Sequence, residues 1–285
     1  MKDVAAQQDS RGIELQKVGI KDFHLPLNIK RKQGSYSSAL GIVDMSVELA
    51  EEHRATHMSR FVEILLRWQN QPIAEAELKQ IAREAAEVFS ARNVYLRTRF
   101  KYFLDKLTPA TNIPCALDYD CSFSCRYNAS TSLGVEPSTC SGREQAERSL
   151  SNHEGDDFVL GVEVPVILVC PCSLEISDFG AHSQRAVIGA RLRYEEGTIV
   201  WIEDLVPLLE KSGSCEIFPL LKREDEKLVT ERAFSNPKFV EDAVRDSFLA
   251  LRQLPNVTWF EVCCESAESI HNHSAHASVS WQKQG

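Results

Sequence analysis

Apolar and polar residues alternate along the chain in a pattern that predicts strands and helices in a repeated order. Positions 40–49 alternate as in a strand with one buried face. In 57–69 and 76–92, apolar residues recur every three or four positions, which is the spacing of an amphipathic helix. The first part of the chain is therefore predicted to contain strands at 13–18, 40–49 and 94–104 and helices at 57–69 and 76–92.

The second part repeats this order less regularly. Strands are predicted at 117–126, 158–169, 185–194, 257–264 and 274–281, and helices at 202–211 and 237–254. Strands, then helices, then strands, taken twice, predict an α+β fold with antiparallel sheets that carry helices on one face. The stretch 130–157 is rich in Ser, Gly, Glu and Asn, so it is predicted to be a long loop or a partly disordered insertion.

Composition narrows the class of protein. A chain of 285 residues can form one large domain or two compact ones. Its net charge of −9 argues against nucleic-acid binding, although a local cluster of Arg, Lys and N–H groups would still bind a small anion. Gly161, Glu163 and Pro165 interrupt the apolar run 159–170, so no membrane helix is expected there. Nine cysteines without a visible export signal favour free thiols or metal ligands, and a cytoplasmic protein.

The densest group of reactive side chains lies between Cys170 and His182. Cys170 and Cys172 flank a proline directly after a predicted strand, and His182 follows ten residues later. A thiolate and a neutral imidazole are ligands that a zinc-like ion prefers. Cysteine is also often simply buried, so the spacing leaves both interpretations open.

A second group surrounds His271 and His273. In an extended chain these two imidazoles project from the same face, with Glu268 close by in sequence. Such a pair can bind a metal, relay protons or contact phosphates, or it can form an exposed polar strand end.

Glu241, Glu226 and the start of the first predicted helix can each be interpreted as a structural feature or as part of a binding site. Glu241 follows Pro237 in the first turn of a predicted helix, where it either caps the helix or grips the N–H donors of a purine. Glu226 is either a solvated loop residue or an oxygen ligand. Ser59 and Arg60 lie at the start of the first predicted helix, where they could bind a phosphate. Alternatively, Arg60 is a surface ion-pair partner.

Several segments, in this order along the chain, resemble the type IB family of GTP cyclohydrolase I. The resemblance covers almost the whole chain apart from 130–157. The matching segments are Lys17-Val-Gly-Ile-Lys-Asp22, Thr56-His-Met-Ser-Arg-Phe61, Cys170-Pro-Cys-Ser173, Glu175-Ile-Ser-Asp-Phe-Gly-Ala-His182, Val200-Trp-Ile-Glu-Asp-Leu205, Asn236-Pro-Lys-Phe-Val-Glu-Asp242 and Glu268-Ser-Ile-His-Asn-His-Ser-Ala275.

The resemblance implies a fold and a reaction. The implied fold is the tunnelling fold, with two ββααββ-like modules at 1–110 and 111–285 and an insertion near 130–157. The implied assembly is a homotetramer with active sites at subunit interfaces, and no nucleic acid or membrane partner is expected. The implied reaction opens the guanine ring of GTP with Zn²⁺ or Mn²⁺, giving formate and 7,8-dihydroneopterin triphosphate for tetrahydrofolate and often queuosine synthesis.

The resemblance also implies roles for particular residues. Cys170 is the thiolate ligand of the metal, and His182 and Glu226 complete or support the metal shell. His271 and His273 carry protons near the opened ring. Glu268 orients one of these histidines, and Glu241 anchors the guanine edge.

Two positions depart from the family pattern. Leu174 stands where the motif usually has Lys, and Ala55 where Gly is usual. If that Lys contacts the triphosphate, Leu174 weakens GTP binding. The rival hypotheses are a degenerate member that binds a purine or pterin without turnover, and the archaeal-type relative that makes a cyclic phosphate.

Overall fold

The computed structural model describes residues 7–128 and 157–284, which form a mixed α+β fold. Long antiparallel strands provide most of the structure, and helices pack against them. The elements are β1 (Leu15–Lys30), β2 (Tyr36–Leu49), α1 (Met58–Trp68), β3 (Pro72–Ile73), α2 (Glu75–Phe89), β4 (Asn93–Leu107), β5 (Pro114–Asn128), β6 (Asp157–Val169), α3 (Pro171–Ile176), β7 (Ser183–Tyr194), α4 (Ile202–Glu210), β8 (Cys215–Glu216), α5 (Arg223–Ser235), α6 (Val240–Arg252), β9 (Val257–Ala267) and β10 (Ser274–Gln282).

These elements belong to two compact units. The first unit is drawn from Met1–Lys30, Gly34–Phe100 and Ser122–Val159, and the second from Arg31–Gln33, Lys101–Cys121 and Leu160–Gly285. Strands β4, β5 and β6 therefore contribute residues to both units. The division into modules at 1–110 and 111–285 stays a prediction, and most of the insertion predicted near 130–157 lies outside the described residues.

In the first unit, strands run in the order β3-β1-β2-β4, and β1 pairs antiparallel with β2. Helices α1 and α2 bury the apolar stripes that their sequences predict. The rings of Phe61 on α1 and Phe89 on α2 stack with centroids 4.1 Å apart. The buried residues of the two helices are Phe61, Ile64, Leu65, Trp68, Leu78, Ile81, Ala82, Ala85 and Ala86.

In the second unit, strands run in the order β4-β5-β6-β7-β9-β10, and β8 pairs with β6. Helix α6 packs on β9 and β10. The ring of Phe260 lies between Phe248 and Trp281, with both centroid distances 5.3 Å. Helix α5 joins this unit through Val229 and Ala233, which form an apolar cluster with Val169 and Cys215. Val169, a member of this cluster, is the residue directly before Cys170 in the chain.

Most predicted elements are confirmed, whereas the short elements β3, α3 and β8 were not predicted, and β1, α5 and α6 differ from expectation. Strand β1 extends to Lys30, well beyond its predicted end, and a register shift between Ile20 and Phe23 interrupts the alternation that would have predicted this length. Helix α6 begins at Val240, after Pro237. Helix α5 was missed, because its sequence is highly charged and buries only Asp225, Val229 and Ala233. No described helix is long and apolar enough to cross a membrane.

Candidate functional site

Cys170 lies at the junction of β6 and α3. It is half-buried and is the N-cap of α3, where its Sγ accepts a hydrogen bond from the Ser173 N–H at 3.4 Å. Pro171 follows at the first helical position, where its missing N–H costs nothing. The thiol is therefore held at the end of a buried strand.

Strand pairing brings His182 next to Cys170. β6 and β7 pair with Val169 opposite Ser183, so the next pair in register is Cys170 and His182. The Cys170 N–H donates to the His182 carbonyl at 3.1 Å, which continues the ladder beyond the two strands. Gly180 has a φ of 78°, which lets the chain turn back from α3 towards His182. The sheet thus places a thiol and an imidazole at the same edge.

Gln184 and Glu268 extend this pair into a hydrogen-bonded row. The His182 Nδ1 lies 2.9 Å from Gln184 Oε1, and Gln184 Nε2 donates to Glu268 Oε1 at 3.2 Å. Ser269 Oγ lies 3.5 Å from the same Nδ1. Gln184 was not predicted from the sequence. Its signal was its place two residues after His182 on a strand, where both side chains point to one face.

Glu268 accepts a hydrogen bond from Gln184, and its predicted role of orienting His271 or His273 stays a prediction. The two histidines lie in the connection between β9 and β10 and are exposed. Their rings stack with centroids 5.1 Å apart and an interplanar angle of 12°. The expected common side of the two imidazoles is confirmed, although the backbone there is not a strand.

Glu241 lies exposed in the first turn of α6. Asp242 does the capping at this helix end, because its Oδ2 accepts from the Phe239 N–H at 3.1 Å. Burial, the neighbouring Cys263 and the charge of Glu241 together raise the pKa of Cys264 to about 12. Glu241 is thus available for a ligand rather than needed as a cap.

Glu226 lies on α5, so its interpretation as a loop residue is wrong. It is exposed, and its N–H donates to the Lys222 carbonyl at 2.8 Å. The neighbouring Asp225 is buried and accepts from Thr111 Oγ1 at 2.6 Å and from the Ala110 and Thr111 N–H groups at 2.8 Å. Asp225 therefore fixes the loop after β4, and Glu226 points outward.

Cys170 and His182 fit a soft divalent ion as two of its ligands. A thiolate and an imidazole are suitable donors, and the hydrogen bond at Nδ1 leaves Nε2 as the ligand atom of His182. Among residues 7–128 and 157–284, no three His, Cys, Asp or Glu side chains are grouped as a metal site. The third ligand assigned to Glu226 therefore stays a prediction.

The other residues with reactive or charged side chains lie elsewhere in the chain. Ser59 and Arg60 lie exposed in the first turn of α1, in the first unit. Cys121 and Cys125 are buried in β5, and burial raises the pKa of Cys121 above its usual range. The eight cysteines in the described residues form no disulfide with one another, and Cys140 lies outside those residues.

Comparison with known proteins gives consistent results. A model of the family "Type I GTP cyclohydrolase folE2" matches residues 1–141 and 126–277. GTP cyclohydrolase FolE2 of Citrifermentans bemidjiense is 40% identical over 279 residues, covering 98% of this chain and 94% of that protein. The protein of the same name from Pelobacter propionicus is 40% identical over 285 residues, covering 100% of both.

Solved structures share the fold at low identity. Uricase from Arthrobacter globiformis is 10% identical, with a TM-score of 0.53, over 100% of this chain and 96% of its own. A hyper-thermostable AgUricase mutant is 9% identical, with a TM-score of 0.57, over 95% and 93%. These likenesses show a common α+β fold built on a large sheet and no more.

The matched family model also decides the label of the family. Its description is type I GTP cyclohydrolase folE2, which replaces the type IB label that the motifs suggested. Since that model matches nearly the whole length and relatives are 40% identical over the whole chain, this chain belongs to the type I GTP cyclohydrolase folE2 family.

Proposed function

We propose that the protein is a GTP cyclohydrolase I. It hydrolyses the guanine ring of GTP, releases C8 as formate and forms 7,8-dihydroneopterin triphosphate, the first step of tetrahydrofolate synthesis. Family membership supports this activity. The observation that carries the proposal is the strand register that places Cys170 opposite His182, because the reaction needs a site for a divalent ion.

The metal would be held by the Cys170 thiolate and the Nε2 of His182, with Glu226 as the third protein ligand. Zn²⁺ or Mn²⁺ would supply a water made nucleophilic by lowering its pKa to about 7. A water of this kind is required because guanine C8 is a weak electrophile. The half-buried Cys170 is held by strand and helix together, so the chain keeps its thiol in place.

Proton transfer would fall to His271 and His273. Opening the ring at C8 requires protons at ring nitrogens and bases that titrate near neutral pH, which histidine provides. The stacked rings are exposed, so a substrate can reach both. Glu241 would accept hydrogen bonds from the guanine N–H donors, since Asp242 already caps the helix.

For the assembly we propose two tunnelling-fold modules, 1–110 and 111–285, in a homotetramer with active sites at subunit interfaces. The likeness to uricases supports this fold, and so does the repeated order of strands and helices. The exposed side chains of Glu226, Glu241, His271 and His273 fit a site that a second subunit completes.

The test is to incubate the purified protein with GTP and Zn²⁺ or Mn²⁺ and to measure formate and the oxidised fluorescent pterin. Cys170→Ala should lose both bound metal and turnover. Cys172→Ala is the matched control, because this exposed thiol lies two residues away and should be dispensable. A folded protein that binds GTP but releases no formate with either metal would favour the hypothesis of a degenerate family member. Leu174, in place of the usual Lys, is the sequence feature that supports this hypothesis.

A further inference from the structure

We infer that Gln184 is a positioning residue. Held by Glu268, it fixes the ring of His182 in the tautomer that carries its proton on Nδ1 and offers Nε2 as the ligand atom. The inference rests on the proposed function for its purpose, because a ligand atom needs a metal. The tautomer itself is a property of the metal-free chain and can be measured without GTP.

Strand geometry places the three side chains in a row. β7 and β9 pair with Ala186 opposite Ser266, so two residues further along this register Gln184 lies opposite Glu268. His182 lies directly before β7 and Gln184 is the second residue of that strand, so in extended backbone the two side chains project from one face. All three side chains are half-buried. The row therefore continues the sheet register by one residue beyond β7, at His182, and by one residue beyond β9, at Glu268.

Donor and acceptor rules give the row one direction. An ionised carboxylate only accepts hydrogen bonds, so the Gln184 group facing Glu268 at 3.2 Å must be its NH₂. This turns the amide oxygen towards His182 Nδ1, at 2.9 Å. An amide oxygen only accepts, so Nδ1 must carry the proton. In a neutral imidazole with a proton on Nδ1, Nε2 has the free lone pair.

The reversed arrangement is worse at both contacts. Turning the amide would place its oxygen against the Glu268 carboxylate, where two acceptors face each other without a proton. Ser269 Oγ, 3.5 Å from Nδ1, can donate or accept, so it fits either tautomer and decides neither. The charge of Glu268 therefore sets the tautomer of His182 through Gln184.

This arrangement prepares the metal ligand before metal arrives. The partner of the second ring nitrogen of a ligating histidine fixes its orientation, and losing such a partner typically costs about 10- to 100-fold in metal affinity. We expect Gln184→Leu to weaken Zn²⁺ or Mn²⁺ binding by about tenfold or more. The variant should keep the wild-type fold, because Gln184 lies at the end of β7 and is not part of the apolar core.

The test measures the tautomer directly. Long-range ¹H–¹⁵N correlation spectra of the metal-free protein, at a pH well above the ordinary histidine pKa of about 6.5, distinguish the two neutral tautomers. The signals of His182 are assigned by their loss in His182→Asn. The wild type should show the proton on Nδ1. Gln184→Leu and Glu268→Gln should both show a mixture, because each removes the fixed direction of the row.

A paired substitution separates positioning from simple packing. In the double variant Gln184→Glu with Glu268→Gln, the new carboxylate at position 184 accepts from Nδ1–H, and the new amide at position 268 donates to it. The Nδ1 proton and the metal affinity measured by equilibrium dialysis should both return towards wild type, whereas Glu268→Gln alone loses them. Restoration in this pair has no explanation in packing alone.

Two results would overturn the inference. One is a wild-type His182 with its proton on Nε2. The other is a Gln184→Leu protein with unchanged tautomer and unchanged metal affinity. Failure of the proposed function looks different: formate is absent from the GTP assay while His182 still carries its proton on Nδ1.

Discussion

Glu210 connects helix α4 to two neighbouring strands, and its removal gives a sharp test of the packing in the second unit. Its Oε1 accepts from Lys106 Nζ at 2.6 Å and from the Tyr119 hydroxyl at 2.7 Å. The side chains of Lys106 and Glu210 are only 12% and 11% exposed. Glu210→Gln keeps the shape and an acceptor for Tyr119, but it leaves Lys106 without its counter-charge.

The expected cost follows from these contacts. Breaking a buried ion pair by removing one partner costs about 3–5 kcal/mol. Lys106 keeps a hydrogen bond to the Ile217 carbonyl at 3.1 Å and lies 4.5 Å from the centre of the Phe218 ring, which reduces the loss. We therefore expect Glu210→Gln to lower the free energy of unfolding by about 2–3 kcal/mol.

Urea denaturation followed by tryptophan fluorescence measures this, since Trp201, Trp259 and Trp281 all lie in the second unit. The controls are Lys106→Met and the double variant. The double variant should lose less stability than the two single losses added together, because it buries no unpaired charge. A loss below about 1 kcal/mol for Glu210→Gln, or additive losses, would refute the reasoning.

Two further predictions concern the loop after β4 and the metal loop. Burial opposes ionisation of Asp225, but hydrogen bonds from the Thr111 hydroxyl and from backbone N–H groups outweigh it and lower its pKa. This stabilisation is present above the unfolded pKa of about 3.9 and is lost as the pH falls towards the lower folded pKa. The Tm of the wild type should therefore exceed that of Asp225→Asn at neutral pH, and the difference should shrink only in acid. A constant Tm difference from neutral pH to about pH 2 would contradict this. Leu174→Lys should lower the KM for GTP several-fold at low salt and by less at high salt, because salt screens the attraction between the new charge and a phosphate. Leu174→Met is the matched control. An equal KM in the Lys and Met variants would show that no phosphate lies near this position.

The sequence by itself determined the elements whose patterning is unambiguous. The apolar stripes of α1, α2 and α6 and the alternation of β2 follow from the need to bury one face, so their positions needed no tertiary information. The spacing of Cys170 and His182 also suggested a metal site before any fold was known. Helix α5 could not be read in this way, because its charged sequence buries too few apolar residues to give a clear period.

Only the tertiary structure decided which polar side chains meet. Gln184 and Glu268 are 84 residues apart in sequence, and a hydrogen bond joins them because the register of β7 and β9 places them opposite each other. The register of β6 and β7 likewise places Cys170 opposite His182. On helix α5, the adjacent residues Asp225 and Glu226 face opposite ways, with Asp225 buried and Glu226 exposed. Residue type limits the chemistry that a side chain can perform, but its partner is set by strand pairing and helix orientation. Both depend on burying apolar surface across the whole sheet, which no local stretch of sequence records.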